Sequence, residues 1–114
     1  MLAFDAANDR QTNLLQSAYK VALQAAWMGN VHACDLVARM LMRGGTGEHQ
    51  AREKAYAWAL IAAEQRLPHP TTPASKLAAQ LTEHERVEGV KISQFFKTRI
   101  RRRALQAGEK SFRF

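Results

Sequence analysis

The sequence predicts an all-α protein organised as a short α-solenoid of antiparallel helix pairs, closed by a long C-terminal capping helix. Apolar residues recur with a period of about 3.6, and no alternating run of β-branched residues is long enough for a strand. Residues 17–28 and 54–65 also align 37 positions apart and are identical at six of twelve sites. Such recurrence of a packing face is typical of stacked helical repeats. The identical pairs are Ala18/Ala55, Tyr19/Tyr56, Ala22/Ala59, Leu23/Leu60, Ala25/Ala62 and Ala26/Ala63.

The first predicted helix pair covers about residues 9–28 and residues 31–42. Gly29 and Asn30 separate the two helices, because both residue types are common where helices end. The second helix carries its apolar residues on one side. These are Val31, Cys34, Val37, Met40 and Leu41, and we expect Cys34 to be a small buried residue.

The second predicted pair follows the glycine-rich segment 44–47. Its first helix covers about residues 51–65 and ends before Pro68, since proline excludes helical geometry at the residue before it. After a proline-rich turn, Pro73 begins a short helix that runs to Leu81. The packing stripe expected on the longer helix consists of Ala55, Trp58, Ala59, Ala62 and Ala63.

A long last helix is predicted from Thr82 to about Gly108. Thr82 and Glu85 have the spacing of a capping box, in which each side chain bonds the other residue's free backbone N–H. The expected apolar side of this helix consists of Val87, Val90, either Phe95 or Phe96, and Ile100.

About residues 17–100 resemble the Sel1-like repeats, relatives of the tetratricopeptide repeats, and the match is densest over residues 33–63. A typical unit has an alanine and a leucine-glycine on one helix, a Gly-x-Gly turn, then Lys-Ala, an aromatic residue and paired alanines. The matching residues are Ala33, Leu36, Gly45, Gly47, Lys54, Ala55, Trp58, Ala62 and Ala63. The further repeat positions are Tyr19, Ala22, Ala26, Gly29 and Tyr56. The resemblance implies a solenoid that binds other proteins.

The sequence also departs from the family pattern. Val37, Met40, Glu48 and Arg66 stand where the family usually has glycine, tyrosine, valine and a closing glycine. The chain holds only about one and a half units plus a cap, whereas about three repeats are usually needed for stability. Flanking helices, a partner, or a second copy in a homodimer must therefore complete the core.

Charge divides the chain into residues 1–96, the repeat domain with its capping helix, and the basic segment 97–114. Residues 86–114 hold nine lysines and arginines against two acids, whereas residues 1–85 hold eight of each. The candidate contact residues in this segment are Lys97, Arg99, Arg101, Arg102 and Arg103, which spread around a helix. Their charges suit contact with an acidic protein, with a nucleic acid bound independently of its sequence or, as the least favoured choice, with an anionic membrane. In the alternative interpretation these basic residues bind no partner: they are solvated and interact favourably with the negative C-terminal pole of the helix dipole.

The aromatic residues are expected to divide between core and surface. Tyr19 and Tyr56 recur at one repeat position and Trp58 matches a family core position, so we expect these three to be packed. Trp27 aligns with Glu64 instead, which favours a surface anchor, since interface hot spots favour tryptophan and arginine. Two further candidate contact residues, on either side of Arg113, are Phe112 and Phe114.

No pattern indicates catalysis, a metal site or a cofactor. The four histidines show no i, i+4 pair, and segment 44–47 has neither the Gly-Lys-Ser or Gly-Lys-Thr sequence of a phosphate-binding loop nor a strand before it. Asp35 and Arg39 are expected to be ordinary exposed helix charges. We therefore expect that the protein is not an enzyme and needs no cofactor.

These observations together predict a non-enzymatic protein–protein interaction adaptor or regulator. The alternative is a nucleic-acid-binding accessory protein that uses the basic segment. The single cysteine forms no internal disulfide, the first ten residues lack a signal-peptide apolar run, and no apolar run reaches the membrane-spanning length of about 18 residues. We expect a cytoplasmic protein, and the resemblance implies a bacterial-type cytoplasm.

Overall fold

The computed structural model of this protein describes the backbone of residues 2–108 and the side chains of residue 11 and residues 13–108. This part of the chain contains five α-helices and no strand, which confirms the all-α prediction. None of the five is long and apolar enough to cross a membrane. The helices are α1 (Leu2–Trp27), α2 (Val31–Arg43), α3 (Ala51–Glu64), α4 (Ala74–Gln80) and α5 (Glu83–Gln106).

Helices α1 and α2 form a hairpin around the predicted Gly29-Asn30 turn. Gly29 has a φ of 89°, a left-handed conformation that suits glycine, and the Asn30 side chain accepts the backbone N–H of Ala33 at 3.0 Å. Helix α1 begins at Leu2, earlier than the predicted start at residue 9. The reason is that residues 2–8 include three alanines and no glycine or proline, so nothing in them stops a helix.

Helix α3 is the centre of the fold, with α2 and α5 packed against it. Its small buried residues allow neighbouring helices to approach closely, while Trp58 and Ile61 fill the space between them. Gly89 on α5 shows how close that approach is. A Cβ atom at this position would lie 2.6 Å from Cδ2 of Tyr56 and 3.1 Å from the backbone oxygen of Glu53. Only glycine fits there without displacing α3.

Asp35 corrects the expectation of an exposed helix charge. Its side chain is buried, and its carboxylate accepts hydrogen bonds from the backbone N–H and the hydroxyl of Thr71 and from the N–H of Thr72. These bonds attach the proline-rich connection between α3 and α4 to α2. A buried carboxylate needs such donors, because an unpaired charge inside a protein is costly.

Helix α5 begins with the predicted capping box, and its buried side agrees with the prediction at Phe96 and Ile100 but not in its first turns. Thr82 and Glu85 each accept the other's backbone N–H, at 3.1 Å and 2.9 Å. Val87 and Val90, predicted as buried, are exposed. The buried side uses small residues that let α5 lie close to α3, together with Phe96 rather than Phe95. It consists of Gly89, Ser93, Phe96, Ile100 and Ala104.

Most of the expected repeat positions lie in the core or in the turns, and two do not. Leu36 and Ala63 are exposed, because α2 and α3 turn these positions away from their neighbouring helices. Tyr56 is half-buried, and Gly45 and Gly47 adopt positive φ in the turn before α3. The buried positions are Tyr19, Ala22, Ala26, Ala33, Ala55, Trp58 and Ala62.

Candidate functional site

Three aromatic rings join α1, α3 and α5 beside the candidate site. Trp27 meets Trp58 and Phe96 edge to face, with ring centroids 4.8 Å and 4.9 Å apart. Trp58 and Phe96 stack with centroids at 4.7 Å. These geometries are the favourable ones for aromatic pairs, so the cluster fixes the position of α5 against α1.

Trp27 is therefore half-buried rather than a freely exposed anchor. The guanidinium carbon of Arg99 lies 4.1 Å from the centroid of a Trp27 ring, which is cation–π distance. The interaction holds the Arg99 side chain in place against the cluster. The sequence had placed both residues among the candidate contact residues, and the structure brings them together.

A cleft of about 700 Å³ opens beside this pair, between the C-terminal parts of α1 and α5. Arg99, Arg102 and Arg103 supply its positive charge, and no carboxylate of the described residues lines it. Phe95 and Met28 add apolar surface and are 67% and 54% exposed. The remaining lining residues are Gln24, Trp27, Thr98 and Gln106.

The helical spacing of α5 explains why the cleft is cationic. Residues 95, 98, 99, 102, 103 and 106 follow the three- and four-residue steps that place side chains on one helix face. The five basic candidates do spread around the helix, as expected, yet three of them share this face. The face differs from the buried stripe that contains Phe96 and Ile100, so α5 packs on α3 and still presents arginines to the cleft.

The other candidate contact residues lie elsewhere. Nζ of Lys97 is 2.8 Å and 3.0 Å from the two carboxylate oxygens of Glu64, so this lysine ties α5 to α3. Arg101 is exposed but does not line the cleft. Phe112 and Phe114 lie outside the described residues.

A second cavity of about 290 Å³ shares Trp27 and Arg99 with the cleft. Here Nζ of Lys54 lies 2.6 Å from a carboxylate oxygen of Glu48, and Tyr19 lines the same cavity. Burial raises the pKa of Tyr19 well above its usual range, and the negative charge of Glu48 raises it further. The Tyr19 hydroxyl thus stays neutral, and the charges of Glu48 and Lys54 largely neutralise each other.

An apolar surface on the outside of the α1–α2 hairpin was missed in the sequence. Leu14, Leu15 and Leu36 are exposed there, and a shallow cavity of about 240 Å³ is bordered by Arg39 and Arg43. The surface was missed because the sequence analysis had assigned Leu36 to a packing position, whereas the structure exposes it. Among the described residues, two arginines and no aromatic side chain line this cavity, compared with three arginines and two aromatic residues in the cleft.

Within the described residues, no group of three or more His, Cys, Asp or Glu side chains is placed to hold a metal ion. Cys34 is buried, and burial raises the pKa of its thiol to about 12. The thiolate is the nucleophilic form, so Cys34 is a packed and unreactive residue at neutral pH.

None of the protein-family models matches this chain, and no curated protein or solved structure matches it either. The geometry of the cleft is accordingly the basis for assigning a function.

Proposed function

We propose that this chain is a non-enzymatic protein–protein interaction adaptor or regulator, built on a short Sel1-like solenoid, that binds its partner at the cationic cleft. One observation carries the proposal: Arg99, Arg102 and Arg103 share a cleft with exposed Phe95 and Met28, and none of the lining residues that the structure describes is acidic. Arginine and aromatic residues dominate the energetics of protein interfaces. A cytoplasmic location is part of the proposal, and its bacterial type rests on the family resemblance.

The repeat architecture is supported by equivalent positions in the two aligned segments. Tyr19 and Tyr56 both contribute to packing, on α1 and α3, and Ala22 and Ala59 are both buried. Helices α1, α3 and α5 also contribute one ring each to the aromatic cluster. In a stack of helix pairs these would be the first helices of successive units, and they would line one common side.

Electrostatics would increase the association rate of an acidic partner. Three arginines, with no carboxylate beside them in the described part of the chain, create a local positive potential, and such a field steers an oppositely charged protein towards the cleft. The apolar contacts with Phe95 and Met28 would then slow dissociation, since buried apolar surface contributes most of the affinity. Salt should therefore reduce the association rate more than it increases the dissociation rate.

The proposal is tested by capture from nuclease-treated lysate of the source cell with the full chain. The Arg102→Glu/Arg103→Glu variant reverses two cleft charges, and the Lys76→Glu/Lys91→Glu variant makes the same change in net charge at exposed lysines outside the cleft. A discrete protein that binds the original chain and the lysine variant, and that the arginine variant loses, supports the proposal. Equal capture by both variants contradicts it.

Nucleic-acid binding is the second candidate, favoured by the excess of nine basic residues over two acids in residues 86–114. In that case the logarithm of the affinity for duplex DNA would fall linearly with the logarithm of salt concentration, with a slope of about 0.9 per phosphate contacted. An affinity for DNA that salt leaves unchanged would eliminate this candidate. Loss of every captured protein on nuclease treatment would favour it over the adaptor.

A further inference from the structure

We infer that the cleft between α1 and α5 takes an acidic amphipathic helix of a partner protein, about three turns long. This inference rests on the proposed function and names the partner segment. It follows from the length of the cleft, the spacing of its charges and the position of its apolar residues.

The length of the cleft matches a short helix. Phe95 and Gln106 are the first and last lining residues on α5, eleven positions apart. At about 1.5 Å per residue they are separated by roughly 17 Å, which is three helical turns. A partner helix of about eleven or twelve residues lying beside α5 has the same length, and a groove between two helices is a common site for such a segment.

The arginines specify acidic residues one turn apart. Arg99 and the pair Arg102 and Arg103 are separated by three or four residues, so their side chains are one turn apart along the cleft. Aspartate or glutamate residues three or four positions apart on a partner helix have the matching separation. Guanidinium groups bind carboxylates through two parallel hydrogen bonds, which favours acidic side chains over neutral ones.

Apolar contacts favour a protein helix over a nucleic acid. Phe95 lies on α5 and Met28 directly follows α1, so the cleft has an exposed apolar residue on both of its walls. Methionine adapts its shape to aliphatic side chains, and a leucine or isoleucine on the partner helix would cover both residues. A phosphate backbone would contact the arginines and leave this apolar surface exposed.

Trp27 prepares the cleft for this partner. Its ring lies within cation–π distance of Arg99 and is itself held by Trp58 and Phe96. The guanidinium is therefore partly ordered before binding, which reduces the conformational entropy lost when a carboxylate binds. All three arginines are exposed, but Arg99 is held by the ring of Trp27, whereas Arg102 and Arg103 adjust to the partner.

The test is a selection against the full chain from a displayed library of helical peptides of about 16 residues with randomised surface positions. We expect the enriched peptides to carry acidic residues three or four positions apart beside a large apolar residue. Their affinity should fall about tenfold or more for the Arg102→Glu/Arg103→Glu variant and stay unchanged for the Lys76→Glu/Lys91→Glu control. Replacing the acidic residues of a selected peptide by lysine should restore its binding to the arginine variant.

Three results would overturn the inference: no enrichment, enriched peptides without this acidic spacing, or equal binding to both variants. Its failure is separable from failure of the adaptor function. If a protein captured at the cleft resists nuclease but binds through a neutral or basic segment, the acidic-helix inference is wrong and the adaptor function is still supported. Capture that depends entirely on nucleic acid would overturn both.

Discussion

Oδ2 of Asp35 on α2 accepts both the hydroxyl and the backbone N–H of Thr71, at 2.7 Å and 3.1 Å. The other carboxylate oxygen accepts the N–H of Thr72 at 3.0 Å. Three donors of the proline-rich connection thus end on one buried carboxylate from the first helix hairpin. This contact holds the segment that leads into α4 and α5, and so helps to position α5 and its arginines.

Replacing Asp35 by alanine should destabilise the protein by about 1–3 kcal/mol, because the donors of Thr71 and Thr72 would lose their partner. Asp35→Asn should cost less, since its amide oxygen still accepts one of the hydrogen bonds. Urea denaturation measures both changes. Arg39→Ala, at an exposed position on the same helix, is the control and should change stability by less than about 0.5 kcal/mol. Equal stability of Asp35→Ala and the original chain would rule out this role.

Gly89→Ala tests the close approach of α5 to α3. In an exposed helix, alanine is more favourable than glycine by about 1 kcal/mol. Here the added Cβ would lie 2.6 Å from Cδ2 of Tyr56, so the substitution should instead destabilise the fold by about 1–3 kcal/mol. The midpoint of thermal unfolding should fall. A second change, Tyr56→Ala, should relieve only part of the loss, because the Glu53 oxygen at 3.1 Å remains. A rise in the midpoint for Gly89→Ala would refute the close contact.

The capping box of α5 should make stability depend on pH. The backbone hydrogen bond from Thr82 lowers the pKa of Glu85, and the nearby Arg52 lowers it further. The ionised Glu85 therefore stabilises the folded state above the unfolded pKa of about 4.3, and this contribution is lost as pH falls through the folded pKa. The stability difference between the original chain and Glu85→Gln, measured with urea at several pH values, should shrink in that acidic range. A difference that stays constant with pH would contradict this assignment.

Cys34 should react with thiol reagents only when the fold opens. Burial raises the pKa of its thiol to about 12, compared with about 8.5 for a free cysteine, so little thiolate forms near pH 8. Alkylation by iodoacetamide should be slow for the native chain and fast in denaturant, as followed by mass spectrometry. Asp35→Ala should accelerate labelling, because loss of the bonds to Thr71 and Thr72 would make local opening around Cys34 more frequent. Rapid labelling of the native chain would place Cys34 at the surface.

Local signals in the sequence predicted the helices well. Gly29 and Asn30, the proline-rich turn, and the pair Thr82 and Glu85 act on neighbouring backbone, so their effects are visible in short segments. The role of Asp35 was missed because its donors lie 36 and 37 residues away. The buried side of α5 was predicted correctly at Phe96 and Ile100 and wrongly at Val87 and Val90. Gly89 was missed there because glycine contributes no hydrophobic signal, whereas the close approach of α3 requires it.

The candidate site was predicted in its parts and not in its arrangement. Trp27, Arg99, Arg102 and Arg103 were all candidate contact residues, and their helical spacing was available in the sequence. Their convergence depends on the packing of α5 against α1 and α3, which no local pattern encodes. The same packing directs Lys97 to Glu64 and away from the cleft.

The most direct test of the central claim is chemical-shift mapping of the full chain when the captured partner protein is added. We expect the indole N–H of Trp27 and the side-chain N–H groups of Arg99 and Arg102 to shift, with the Trp27 signal assigned from a Trp27→Phe variant. The methyl signals of Leu14 and Leu36, on the outer surface of the α1–α2 hairpin, should stay in place. Shifts confined to that outer surface, with the cleft signals unchanged, would contradict the assignment of the cleft as the binding site.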